Sequence, residues 1–199
     1  LYQMNKIGII AGGGKLPAII GRNLIKKKYN VNFFVIEEFY NSKNFKDFDV
    51  TIINLKSAKN ILNLLKSKNV ESIIMVGNIN RPSLTDLSFD YQTFKLAKNL
   101  LLNKTGDNSL LISIKKYFND NGFKYFDWKI HCTELFANKD VLTKNKPSTM
   151  AKKNLEKAIS IFKSFGQIDV GQSMIVQNKI VLGLEAAEGT DNLITRCKE

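Results

Sequence analysis

At 199 residues the chain has room for one large domain or two small ones, and its 44% apolar content is that of an ordinary globular protein. Thirty Lys+Arg against eighteen Asp+Glu give a net charge of +12, and no apolar run reaches the length of a membrane span. The charge admits a polyanionic partner, namely nucleic acid, an anionic membrane face or a phosphorylated substrate. It is equally the mark of a chain crowded with Lys, Asn and Ile, whose lysines (Lys26, Lys27, Lys28; Lys152, Lys153, Lys157) lie on polar helix faces. No aromatic-basic stacking motif and no recognition-helix pattern speaks for nucleic acid. Cys132 and Cys197 show no metal-ligand spacing and suit a reducing compartment, with cytoplasm as the default. The first residues lead directly into a strand-like run, with Met4 as a natural start and no signal-peptide layout.

In chain order, Ile7 to Ala11 is a buried strand entering a tight turn at Gly12-Gly13-Gly14. Leu16, Ile19, Ile20 and Leu24 recur at helical spacing, with Pro17 in the first turn, where its missing N–H costs nothing. Asn32 to Ile36 and Val50 to Asn54 are strands. Ala58, Ile61, Leu62 and Leu65 mark a second helix, and Ser72 to Val76 a fourth strand. Buried strands alternating with amphipathic helices imply βα units and a mainly parallel sheet, an α/β fold. Helical stripes follow at Phe94, Ala97, Leu101 and at Leu111, Ile114, Phe118, then a strand between Phe123 and Trp128.

Residues 137–147 are polar and aperiodic, which predicts a linker between a first domain over 4–136 and a second over 148–199. The second domain opens with a helix that presents Leu155, Ala158, Ile159 and Phe162 on one face. Two strands, Ser173 to Val176 and Ile180 to Leu184, are joined by a hairpin at Gln177-Asn178-Lys179.

Five segments carry candidate chemistry. Ala11-Gly-Gly-Gly-Lys-Leu-Pro17 joins a strand to a helix, where glycines let the backbone approach a phosphate and the helix start offers free N–H groups. A Cβ at Gly13 or Gly14 would hold those N–H groups away from the phosphate oxygens. Pro17 stands where a dinucleotide fingerprint has its third glycine, and Glu37 and Glu38 are the ribose ligands such a fingerprint would use. In Gly77-Asn78-Ile-Asn-Arg81-Pro82, Asn78 suits a phosphate or sugar and Arg81 an oxyanion pair; the alternative is a turn with a solvated arginine. Asp107 opens a helix, as cap or as ligand. Asp169 before the hairpin, and Glu185, Glu188 and Asp191 around the Gly189-Thr190 turn after it, offer carboxylates for Mg2+; the alternative has Asp191 capping a final helix and Glu188 exposed. His131 has no paired ligand and reads as structural or surface.

Taken in order, Ala11 to Pro17, Gly77 to Pro82, Gly106-Asp107, Asp169 to Gln172 and Glu185 to Asp191 resemble the LpxI-type UDP-2,3-diacylglucosamine diphosphatases. The resemblance implies a Rossmann-like N-terminal domain, a smaller α/β C-terminal domain and a substrate held between them. It also implies Mg2+-dependent attack of water on the pyrophosphate, giving UMP and 2,3-diacylglucosamine 1-phosphate in lipid A synthesis of a Gram-negative bacterium. Catalysis would fall to Asp191 and Glu188, and substrate binding to Gly12, Gly13, Gly14, Asn78, Arg81, Asp107, Asp169 and Thr190. The lipid-linked substrate implies a peripheral place on the cytoplasmic face of the inner membrane, with a homodimer left open. Family members continue beyond the Glu-Gly-Thr-Asp turn into an Asp-x-Pro-x-x-Gly motif, so residues 1–199 are expected to be a fragment of low activity with an incomplete second domain. Two other classes stand beside this reading. One is a nucleotide-binding oxidoreductase, suggested by the glycine loop and Glu37 and opposed by Pro17. The other is a non-enzymatic basic binding module, suggested by charge alone.

Overall fold

In the computed structural model the described residues are 6–55, 57–79, 107–139, 141–165, 171–186 and 188–198, with the backbone alone at 107–110 and 165. Backbone packing divides the chain into Leu1–Asn103 with Leu111–Phe136, and Lys104–Leu110 with Ala137–Glu199.

The first unit is an α/β Rossmann-like layer structure. Strands β1 (Lys6–Ala11), β2 (Asn30–Ile36), β3 (Val50–Ile53), β4 (Ser72–Val76) and β5 (Lys124–Tyr125) form one sheet in the order β3-β2-β1-β4-β5. Every pairing is parallel, with Ile9 beside Phe33 on one side and Ile74 on the other. The runs are apolar without alternation because both faces are covered. Ile7, Ile9, Ala11, Phe33, Val35 and Ile74 meet helix α1 (Leu16–Lys26) and the short helix α2 (Ser42–Phe45). Ile10, Phe34, Ile36 and Ile73 meet α3 (Ala58–Ser67) and α4 (Asp107–Asp120), the latter through Phe118.

Two expectations shift here. The buried stripe of α1 is Pro17, Ala18, Ile20, Gly21 and Leu24, while Leu16 and Ile19 are exposed. Gly21 is the cause: a Cβ there would lie 2.1 Å from the Phe33 ring, so the helix descends onto the sheet on its glycine side. The strand expected from Phe123 to Trp128 shortens to Lys124–Tyr125, and Trp128–Ile130 turns into a 3-10 segment. That segment delivers His131 to an aromatic cluster, stacked on Phe126 at 4.8 Å and 3.1 Å from the Tyr29 hydroxyl through Nδ1, which makes the only histidine structural. The expected stripe at Phe94, Ala97 and Leu101 lies outside the described residues.

The second unit is smaller. Helix α5 (Thr149–Phe165) contacts the antiparallel pair β6 (Met174–Gln177) and β7 (Ile180–Leu184), and α6 (Thr190–Arg196) follows. The connecting turn has Asn178 and Lys179 both at positive φ, 50° and 62°, as a two-residue type I′ hairpin requires. The Asn154 side chain accepts from the Lys179 N–H at 2.8 Å and ties the hairpin to α5. Ala158 and Phe162 of α5 are half-buried, whereas Leu155 and Ile159 from the expected apolar face are exposed. No helix among the described residues is long and apolar enough to cross a membrane.

Candidate functional site

Parallel strands put the loops after their carboxyl ends on one edge of the sheet, the edge where open α/β folds bind ligands. Here that edge carries Gly12–Gly14 after β1, the 3-10 turn Glu37–Phe39 after β2, Asn54 after β3 and Gly77-Asn78 after β4.

The glycine loop is built by a backbone crossing. Gly12 N–H donates to the Val76 carbonyl at 2.9 Å, and Gly13 and Asn78 exchange two backbone bonds at 2.8 and 3.1 Å. A Cβ at Gly12 would sit 2.4 Å from the Asn78 carbonyl oxygen, and one at Gly77 would sit 2.7 Å from the Gly12 carbonyl carbon. Gly77 also holds a φ of 107°, which glycine alone adopts readily.

The amides of Gly12 and Gly13 are therefore already committed, and the anion-binding capacity lies one step on. Among the described residues no protein acceptor meets the N–H groups of Gly14, Lys15 and Leu16. Lys15 stands at the N-cap of α1 and makes no side-chain cap. Uncapped amides at the positive end of an 11-residue helix are able to receive an anion, with the exposed Lys15 beside them. Lys15 was overlooked in the sequence because the three glycines before it carry the more familiar signal. The exposed Asn78 side chain has no protein partner among the described residues and remains available to a ligand. Arg81 and Asp169 lie outside the described residues. Asp107 begins α4, and its side chain is likewise not described.

In the second unit the candidates gather at the turn from β7 to α6. Gly189, at φ 81°, is the N-cap of α6 and supplies no side-chain cap, so Asp191 sits inside the first turn and is not the cap. Its exposed carboxylate has no hydrogen bond or ion pair to protein among the described residues. Glu188 has a different environment. The Arg196 guanidinium donates to its Oε1 through Nη2 at 2.9 Å and Nε at 3.2 Å, and also donates to the Leu184 carbonyl at 2.9 Å. The Arg196 bond, with help from backbone N–H groups, holds the Glu188 carboxyl below its usual range. Arg196 thus fastens α6 back to β7 with Glu188 as its counter-ion, which leaves Asp191 as the unengaged acid of the turn among the described residues.

Thr190 is the hub of a half-buried relay that the sequence did not reveal. Its hydroxyl donates to Glu185 Oε2 at 2.9 Å and lies 3.2 Å from the Ser173 hydroxyl. A carboxylate only accepts, and Thr190 has one proton, so Ser173 must be the donor to Thr190. Committed in this way, Thr190 has no proton left for a phosphate oxygen, and it can meet a ligand only as an acceptor. Glu185 is 6% exposed. Thr190→Val should therefore cost about 1–3 kcal/mol by stranding a buried carboxylate, and Thr190→Ser should recover most of it. Chemical denaturation of the two variants checks this, and equal stabilities would dissolve the relay.

Among the described residues no three of His, Cys, Asp and Glu come together as a metal cluster. Magnesium needs less than that, since it keeps several waters and takes one or two carboxylates together with substrate phosphates. Asp191 fits such a donor set.

Two family models cover the chain: the LpxI N-terminal domain matches residues 6–135 and the LpxI C-terminal domain residues 138–199. The chain belongs to the LpxI family. A relative from Caulobacter vibrioides, the UDP-2,3-diacylglucosamine pyrophosphatase LpxI, is 25% identical over 194 residues, covering 97% of this chain and 69% of the relative. Hydrolase chemistry in lipid A biosynthesis and a Gram-negative source fit this LpxI membership.

Proposed function

We propose that this LpxI-family protein cleaves the pyrophosphate bond of UDP-2,3-diacylglucosamine. A water oxygen bonds to one phosphorus, the bridging oxygen leaves with the other phosphate, and UMP and 2,3-diacylglucosamine 1-phosphate result. The observation that carries the reading is the family match across both halves of the chain, together with a relative named for this activity. The first unit adds a physical reason, because the open amides of Gly14 to Leu16 beside Lys15 suit phosphate oxygens.

Anhydride hydrolysis needs positioning and neutralisation of charge more than a covalent nucleophile. The start of α1 would fix the pyrophosphate, with Asn78 and Arg81 as further ligands. Asp191 would hold Mg2+, which draws negative charge off the phosphate oxygens when bound. Glu188, paired with Arg196, would keep the turn bearing Asp191 in place. A lipid-linked substrate would bring the protein to the cytoplasmic face of the inner membrane as a peripheral protein, and the net charge of +12 suits that anionic surface.

The protein should release UMP and 2,3-diacylglucosamine 1-phosphate in equal amounts, and EDTA should stop the release. No UMP from folded protein with Mg2+ present would overturn the reading. Tight NADH binding in its place would favour an oxidoreductase.

A further inference from the structure

The edge that carries the glycine loop also carries a carboxylate with a prepared orientation. Glu37 is the first residue after β2, and Asn54 the first after β3. The Asn54 side-chain N–H donates to Glu37 Oε2 at 3.1 Å. The backbone beneath is fixed, since Ile36 is buried and the Glu37 carbonyl accepts from Tyr40 N–H at 3.2 Å. Phe39 of the same turn lies against the glycine loop, its ring 3.0 Å from where a Gly13 Cβ would be.

We infer that Glu37, oriented by Asn54, is the ribose subsite of the enzyme and accepts the 2′- and 3′-hydroxyls of the uridylyl half of the substrate. The inference rests on the pyrophosphatase reading and deepens it. In a chain with 30 Lys+Arg, this carboxylate takes a neutral amide partner. The amide occupies one face of the carboxylate and leaves lone pairs for two further donors, which is what a vicinal diol presents. The negative charge excludes a phosphate from the same place, so phosphate and ribose sort by chemistry. The amides at the start of α1 take the phosphate. The acceptor on the neighbouring strand, one spacing of about 4.8 Å toward β3, takes the hydroxyls.

Isothermal titration of UMP and of 2′-deoxy-UMP into wild type, Glu37→Gln and Asn54→Ala tests the assignment. Wild type should bind UMP about tenfold to a hundredfold more tightly than 2′-deoxy-UMP, the effect of a hydrogen bond to a charged acceptor. Glu37→Gln should lose at least a similar factor for UMP and a smaller one for the deoxynucleotide, which keeps only its 3′-hydroxyl bond to Glu37. Asn54→Ala, acting through Glu37, should weaken UMP more than 2′-deoxy-UMP. Unchanged UMP affinity in Glu37→Gln, or equal losses for the two nucleotides, overturns the subsite while leaving the pyrophosphatase reading intact. A wild-type protein that binds no UMP overturns both.

Discussion

Asp191→Asn should remove most UMP release while leaving the melting temperature of the protein nearly unchanged. The carboxylate lies in the first turn of α6, exposed and without a protein partner among the described residues, and the N-cap is Gly189. Its replacement costs the fold no hydrogen bond, only a weak interaction with the helix dipole. The same substitution removes the one unengaged charge of the turn from a site that works on phosphate charge. A fall in kcat of at least about a hundredfold is expected, the size seen when one stabilising group is taken from a prepared electrostatic site. Rates of UMP release, read beside a thermal melt, separate the two effects. Near-normal turnover would move the acidic role away from Asp191.

Gly12→Ala should do the opposite and damage the fold first. The added Cβ meets the Asn78 carbonyl oxygen at 2.4 Å and the Gly77 carbonyl carbon at 3.0 Å, and neither is the end of a side chain that can rotate away. Relief requires β1 and β4 to part at the crossing, at a cost of about 3 kcal/mol or more. Gly14→Ala is the control. Nothing lies within 4 Å of its Cβ, and only its φ of 90° resists, for about 1–2 kcal/mol. Gly13→Val pushes on the Phe39 ring, and no phosphate bond is lost through its N–H, which Asn78 already holds. Urea unfolding of the three variants should rank Gly12→Ala as the most damaging of the alanine changes. A Gly12→Ala protein as stable as Gly14→Ala would show that the crossing is looser than its distances imply.

Much of this architecture was legible in the residues. Uninterrupted apolar runs such as Ile7 to Ala11 and Phe33 to Ile36 announce strands covered on both faces, and strands of that kind need parallel neighbours joined by helices. The hairpin at Asn178-Lys179 and the helix through Ile61, Leu62 and Leu65 follow from local chemistry in the same way. Local pattern was less informative where a distant residue sets the contact. The stripe of α1 turned because Gly21 admits the Phe33 ring, and a glycine contributes nothing to a hydrophobic period.

The candidate site divides along the same line. Sequence by itself determined which loops share the ligand edge, because the parallel direction of the strands follows from the βα alternation, whereas their order is a finding of the structure. It also supplied the motifs that mark the family. Only the tertiary structure decided which groups on those loops are still free. Gly13 gives its amide to Asn78, Glu188 gives its charge to Arg196, and Thr190 gives its proton to Glu185, while the Lys15 N–H and the Asp191 carboxylate meet no protein partner among the described residues. Hydrogen-bonding capacity is spent in space. A residue's type states what it can offer, and its folded neighbours determine what remains.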